Sequence, residues 1–205
     1  IVVFPGVPCT AQEILDPLGV LLNPANRELP FPLVFTGPSS AADYFQQIDR
    51  FVRLTLGDQA AENYEIIIDD PGAVGQAMRR GLDDVRDFRS GEKDAWYFNW
   101  LLKIDRDFQQ PFDPTHENMS SLVLDRRLPR HELAANLRRA FSGIVAGNVK
   151  PQTLAEIRQQ GPFEIRGEAV IMEALDELLT AFAKQGRMKL LGEYEPCYEI
   201  VRVES

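Results

Sequence analysis

The sequence predicts an α/β fold: part of a doubly wound parallel sheet in residues 1–80, followed by a mainly helical α+β domain in residues 81–205. Three observations carry this reading. Short apolar runs, Ile1-Val2-Val3-Phe4, Leu33-Val34-Phe35-Thr36 and Ile66-Ile67-Ile68, alternate with helical patterns, which is the rhythm of parallel strands and crossover helices. The runs lack polar alternation, as strands buried on both faces do. From about Gly81 onward helical periodicity and aromatic clusters dominate.

The first strand breaks at Pro5-Gly6, and a helix is expected to start at Thr10 and run to about Leu22. Ile14, Leu15, Leu18, Leu21 and Leu22 form its apolar stripe. Pro17 cannot donate to the Glu13 carbonyl, so a kink is expected there. Asn23-Pro24 ends the helix, and a turn-rich loop leads to the second strand, which Gly37-Pro38 terminates. Thr36-Gly37 should therefore stand at a strand C-terminus. Ser40 or a neighbour is expected to cap the next helix, with Tyr44, Phe45, Ile48, Phe51 and Val52 facing inward and Gly57 as its C-cap. A short helical piece precedes the third strand, and Asp70-Pro71 reads as N-cap and first residue of another helix.

Beyond Gly81, Trp96, Tyr97, Phe98 and Trp100 suggest a core or interface cluster rather than a base-stacking platform. Gln109 to Pro114 reads as an irregular connection. His131 to Val149 reads as one long helix whose Ala134, Ala135, Ala140, Gly143, Ala146 and Gly147 permit close packing. Within it, Arg138-Arg139 fit either a phosphate or a solvated face. A helix near 151–160, a strand near Phe163-Glu164-Ile165, a helix near 169–185 and a terminal strand over Cys197 to Val203 complete the chain.

Composition narrows the function. The 205 residues are 44% hydrophobic, enough for a substantial core. No apolar run is long enough for a membrane-spanning helix and no signal peptide is visible. The chain opens on a strand pattern without an initiator Met, which fits part of a longer protein. Cys9 and Cys197 form neither a disulfide framework nor a metal motif, so a cytoplasmic setting is the default. His116-Glu117 has no second ligand at metal spacing, and a structural His116 is expected. A net charge of −9 argues against nucleic acid as partner. Residues 1–75 hold 3 basic and 10 acidic side chains, and residues 76–205 hold 19 and 21. Cationic side chains for an anionic ligand must therefore come from the later segment, from sequence beyond this chain, or from another subunit.

The stretch from Phe4 to Glu13 carries the chemistry. Strand, tight turn and helix N-terminus form the place where open α/β sheets bind anions, because free amides of the first helical turn point at the ligand. Thr10-Ala11-Gln12-Glu13 also spells a capping box, in which Thr10 and Glu13 merely satisfy each other's amides. Cys9 beside a helix N-terminus can have a lowered thiol pKa, but no His stands near it in sequence.

Pro5, Gly6, Thr10 and Glu13 match the Pro-Gly-Gly-x-Gly-Thr-x-x-Glu signature of lonely-guy-type phosphoribohydrolases, with Val7 and Cys9 in place of two glycines. The segments Leu21-Leu22-Asn23-Pro24-Ala25-Asn26, Ala95-Trp96-Tyr97-Phe98-Asn99-Trp100, Pro114-Thr115-His116-Glu117-Asn118-Met119 and Asn136-Leu137-Arg138-Arg139-Ala140-Phe141-Ser142-Gly143 occur with it. Together they resemble the C-terminal half of the bacterial pyrimidine/purine nucleotide 5'-monophosphate nucleosidases. That resemblance implies a Rossmann-like nucleotide-binding part in residues 1–80 and a family-specific part in residues 81–205. It implies hydrolysis of nucleoside 5'-monophosphates to ribose 5-phosphate and free base, with Glu13 catalytic and Gly6 and Thr10 binding substrate. Neither metal nor organic cofactor is required. It further implies a homo-oligomer, regulation by a guanine alarmone, and an assisting arginine from sequence preceding the first strand. The alternative is a nucleotide-binding or regulatory module without catalysis, since a Cβ at Val7 and Cys9 can obstruct phosphate or forbid a positive φ.

Overall fold

The computed structural model of the protein describes residues 1–93, 102–188 and 196–202. The aromatic run Trp96 to Trp100 lies outside the described residues. Strand β1 (Val2–Val3), helix α1 (Pro8–Leu21), strand β2 (Val34–Gly37), helix α2 (Ala42–Leu56), the short α3 (Asp58–Ala61), strand β3 (Glu65–Ile68) and helix α4 (Pro71–Gly91) follow the expected alternation. The three strands pair in parallel in the order β1-β2-β3, with Val3 beside Phe35 and Phe35 beside Ile66. Phe35 stacks on Phe45 of α2 and on Tyr64, at 5.6 and 4.4 Å between ring centroids, and fixes α2 to that face. Helix α4 also touches β2.

Local signals explain most boundaries. Asp70 caps α4 by accepting from the Ala73 amide at 2.8 Å, and Pro71 follows at the first helical position, where no donor is missed. Gly57 ends α2 at φ 88, open to glycine without penalty. Ser40 does not cap α2: Ser39–Ala41 form a turn of 3-10 helix, and Ala41 stands at the N-cap without a side-chain bond. The first strand also departs from expectation. It is parallel but not buried, with Val2 38% and Phe4 62% exposed; among the described residues it pairs with β2 alone.

The later segment contains α5 (Arg106–Gln109), α6 (His116–Ser120), α7 (Arg130–Val149), α8 (Pro151–Gln160), β4 (Phe163–Gly167), α9 (Ala169–Lys184) and β5 (Tyr198–Arg202). Strands β4 and β5 pair in parallel, Ile165 beside Ile200. The small residues of α7 serve close contacts. A methyl on Gly143 would overlap the Met119 side chain, and one on Gly147 would come within 2.8 Å of the Cys197 sulfur.

Helices α1 and α7 pack along their lengths. Ile14, Leu15 and Leu18 of α1 and Leu133, Leu137, Phe141 and Ile144 of α7 belong to one core that continues through α2 and α9. A buried cation sits in this seam. Arg138 Nε stands 3.0 Å from Asp16 Oδ1, off hydrogen-bond alignment, while Nη2 donates to the carbonyls of Asp107 and Gln110 at 2.6 and 3.3 Å. Its guanidinium lies 5.8 Å from the Phe108 ring centroid. Burial pushes the Asp16 carboxyl up, and Arg138 opposes that shift. Arg139 pairs with Asp107 at 2.7 Å. Both arginines fasten the loop at 105–110 to α7, Arg138 through backbone carbonyls and Arg139 through Asp107.

Arg138→Met should therefore destabilise the protein by about 1.5–3 kcal/mol, since two carbonyls lose their donor and one half-buried carboxylate loses its cation. Asp16→Asn should cost less than about 1 kcal/mol, because Asp16 is 39% exposed in its side chain and Arg138 keeps its carbonyls. Urea denaturation of the two variants measures the asymmetry; equal losses would contradict it.

Candidate functional site

The turn after β1 places its helix earlier than the sequence pattern suggests. Val7 is the N-cap of α1, with φ −113 and ψ −179, and Pro8 is the first helical residue. The fixed φ of Pro8 suits that position, so the helix nucleates there rather than at Thr10. Thr10 lies inside the first turn, its amide donating to the Val7 carbonyl at 2.8 Å. The capping box is consequently not formed: α1 has no side-chain cap, and the Thr10 hydroxyl and Glu13 carboxylate have no hydrogen-bond or ion-pair partner among the described residues. The amides of Val7 and Cys9 likewise have no acceptor among the described residues.

Gly6 and Thr10 are in direct contact. A methyl on Gly6 would overlap Thr10 Oγ1 and come within 2.8 Å of Thr10 Cβ. Glycine is needed here for that close approach and not for its φ, since Gly6 is not among the positive-φ residues. Val7 is extended and Cys9 helical, so neither carries the backbone strain that a missing glycine would impose. Glu13 is exposed one turn beyond Thr10. Its charge adds to the upward push on Asp16, after burial and against Arg138.

Two residues complete the corner: Tyr44, which the sequence placed only on the inward face of α2, and Arg187, which it did not single out. Tyr44 of α2 is 1% exposed and stacks on Phe182 of α9 at 5.3 Å. Burial pushes its phenol up to about 12, against the opposing pull of the Gly6 backbone and the Arg187 guanidinium, with the charges of Cys9 and Glu13 adding to the rise. The Tyr44 hydroxyl has no well-formed hydrogen bond among the described residues, an orphaning that ordinarily costs about 1–3 kcal/mol. Arg187 lies with its Cζ 4.6 Å above the Tyr44 ring centroid. It donates from Nη1 to the Gly6 carbonyl at 3.1 Å and from Nε to Gln185 Oε1 at 2.9 Å.

The end of α9 delivers Arg187. Gly186 at φ 66 donates to the Ala183 carbonyl and the Arg187 amide to the Phe182 carbonyl, at 3.0 and 2.8 Å. This is a Schellman stop, with glycine at the left-handed position and Arg187 just beyond it. The helical stripe ending before Gly186 signals the stop; nothing local says that the next residue meets Gly6, 181 positions earlier. A cation from the later segment thus stands at the turn of the acidic first segment.

A cavity of about 260 Å³ lies against this turn, walled by Val7, Pro8 and Cys9 on one side and Ile144, Val149 and Met188 among others on the opposite side. Arg187 is its only charged wall among the described residues. The strand ends meet nearby as expected. Gly37 abuts Pro5, where an added methyl would stand 3.0 Å from the proline ring. Asp69, just past β3, holds φ 59, donates its amide to the Gly37 carbonyl and accepts from Ser39 Oγ at 2.6 Å. A non-glycine residue in the left-handed region is uncommon enough to mark this edge of the sheet. His116 sits elsewhere: its Nε2 donates to the Gly161 carbonyl at 2.8 Å and its ring tilts against Phe163.

The class these features define is an α/β protein with an anion-suited strand–turn–helix corner and a carboxylate, unpaired among the described residues, one helical turn inside it. Residues 82–201 match the family described as "Pyrimidine/purine nucleotide monophosphate nucleosidase, C-terminal", and the chain belongs to that family. The chain is 49% identical over 201 residues to proteins named "Pyrimidine/purine nucleotide 5'-monophosphate nucleosidase" from Escherichia coli strain K12 and from Escherichia coli O157:H7. These alignments cover 98% of this chain and 44% of each relative, so the chain spans less than half the length of those relatives.

Gly6→Ala should lower stability by about 1–3 kcal/mol, because the clash involves Thr10 Cβ and no rotamer of Thr10 relieves it. Gly75→Ala in α4, where nothing lies within 4 Å of the added methyl, should stabilise by about 0.5–1 kcal/mol. Thermal melts of both variants check the contrast, and an undisturbed Gly6→Ala melt would refute the close approach.

Proposed function

We propose that the native protein hydrolyses the N-glycosidic bond of nucleoside 5'-monophosphates, releasing ribose 5-phosphate and free base, with Glu13 as the catalytic carboxylate. The observation that carries this reading is the corner itself: unpartnered amides at the start of α1, the Thr10 hydroxyl beside Gly6, and an unpaired Glu13 carboxylate one turn further on, all among the described residues. The names of the relatives support the same activity. The 5'-phosphate sits on the Gly6–Thr10 turn, where amides and helix dipole favour an anion. As the base departs with the bonding electron pair, positive charge builds on the ribose. Glu13 stabilises that charge or orients the water that adds to the anomeric carbon.

Within this proposal residues 1–80 are the C-terminal part of the nucleotide-binding domain and residues 81–205 the family-specific domain. A cytoplasmic homo-oligomer regulated by a guanine alarmone belongs to the same reading. The alternative of a module without catalysis drew on Val7 and Cys9 replacing glycines. Its backbone argument weakens, since Val7 is extended and Cys9 helical.

Glu13→Gln in the full-length protein removes the negative charge and keeps the size. Base release should fall by about 10²-fold or more, as for loss of one electrostatic stabiliser, with little change in nucleotide binding. Turnover within about a factor of three of wild type, on the same scale, would strip Glu13 of that role.

A further inference from the structure

We propose that Arg187 is the cation that recognises the phosphomonoester group at this site, with Tyr44 as the platform that holds it there. The inference rests on the nucleotide reading of the turn and adds the side chain that separates a phosphorylated ligand from its unphosphorylated counterpart.

The first 75 residues contain three basic side chains, and none of them serves the turn. Arg50 pairs with Glu177 at 3.2 Å, Arg53 with Asp49 and Asp58 at 2.8 and 2.9 Å, and Arg27 is exposed in the loop after α1. Arg187 fills the gap from the far end of the chain. It has no carboxylate partner among the described residues, and its charge rests on neutral groups: the Gly6 carbonyl, the Gln185 amide oxygen and the face of Tyr44. Its Nη2 carries no hydrogen bond among the described residues. A guanidinium anchored by one edge and one face keeps its remaining donors for an anion, and its planar fork matches phosphate oxygens.

Tyr44 supplies an independent sign of a ligand. Its hydroxyl is buried and makes no well-formed hydrogen bond among the described residues; the Gly6 backbone offers it only a weak one and Arg187 lies over its ring, so it is directed at the turn. Buried hydroxyls are normally satisfied. A phosphate oxygen seated on the free amides of Val7 and Cys9 gives both the Tyr44 hydroxyl and Arg187 Nη2 an acceptor, beside the cavity that borders the same two residues.

The experiment is calorimetric titration of the full-length protein with adenosine 5'-monophosphate and with adenosine, at low and high salt, for wild type, Arg187→Gln and Arg187→Lys. The glutamine side chain carries no charge but can still donate to the Gly6 carbonyl; lysine keeps the charge without the fork. Arg187→Gln should weaken monophosphate binding by about tenfold or more, leave adenosine unchanged, and flatten the salt dependence. Arg187→Lys should retain most of the preference for the monophosphate, which also settles the matter if the glutamine variant fails to fold. Unchanged monophosphate affinity in Arg187→Gln, with base release intact, overturns the assignment of Arg187 while the proposed activity stands. Equal losses for both ligands make Arg187 a structural support and overturn it too. A wild-type protein that binds monophosphate no better than adenosine defeats the nucleotide reading itself.

Discussion

The seating of α1 on α7 is the constraint on which the rest of the structure depends. Helix α1 has few means of holding itself together. It has no side-chain cap, no acidic residue in its first turn and a proline at position 17. A helix of 14 residues with those handicaps is marginal alone, and its stability must come from the face it buries. That face, Ile14, Leu15 and Leu18, lies in the core shared with α7. Thr10 and Glu13 occupy positions that this packing leaves free. A helix that is stable only when docked presents its first turn in one orientation, which is the fixed geometry the proposed anion site requires.

The same economy governs charge. A strongly acidic opening segment is an awkward host for the anionic ligand proposed above. The fold answers by bringing Arg187 across from the end of α9 and by keeping Arg138 and Arg139 occupied with Asp16, Asp107 and nearby carbonyls. Arginines that look alike in the sequence therefore divide into those that fasten loops and one that stands at the turn. Aromatic contacts make the division possible, since Tyr44 stacks on Phe182 and carries Arg187 over its ring, linking α2, α9 and the turn.

Elements whose cause is local were legible in the sequence. Parallel strands, the long helix ending at Val149, the Asp70-Pro71 start and the Gly57 stop all follow from periodicity and turn chemistry within a few residues. The helix start at Pro8 was obscured because two valid signals compete, and the proline signal prevailed over the Thr10–Glu13 pattern. Gly6, Thr10 and Glu13 were identifiable by type, and the structure brings Gly6 and Thr10 into contact. Tyr44 was legible only as an inward-facing residue of α2, and Arg187 and Asp69 were not found, because each acquires its place at the turn through a partner distant in sequence or through a backbone conformation no local pattern demands.

The parallel pairing of β4 with β5 has a consequence for how the molecule comes into being. Parallel neighbours cannot be joined by a tight hairpin, and here α9 and the segment after it separate them. Chains fold from the N-terminus as they leave the ribosome. Strand β4 thus waits for β5, and the Cys197 side chain reaches Gly147 of α7 only when nearly all of this sequence has emerged. The Gly6 turn is synthesised ahead of every element described above except β1, yet it acquires its support among the last. A nascent polypeptide interrupted before residue 187 would carry the glutamate and the glycine without the arginine beside them, so biosynthesis itself delays assembly of the corner until α9 has been translated.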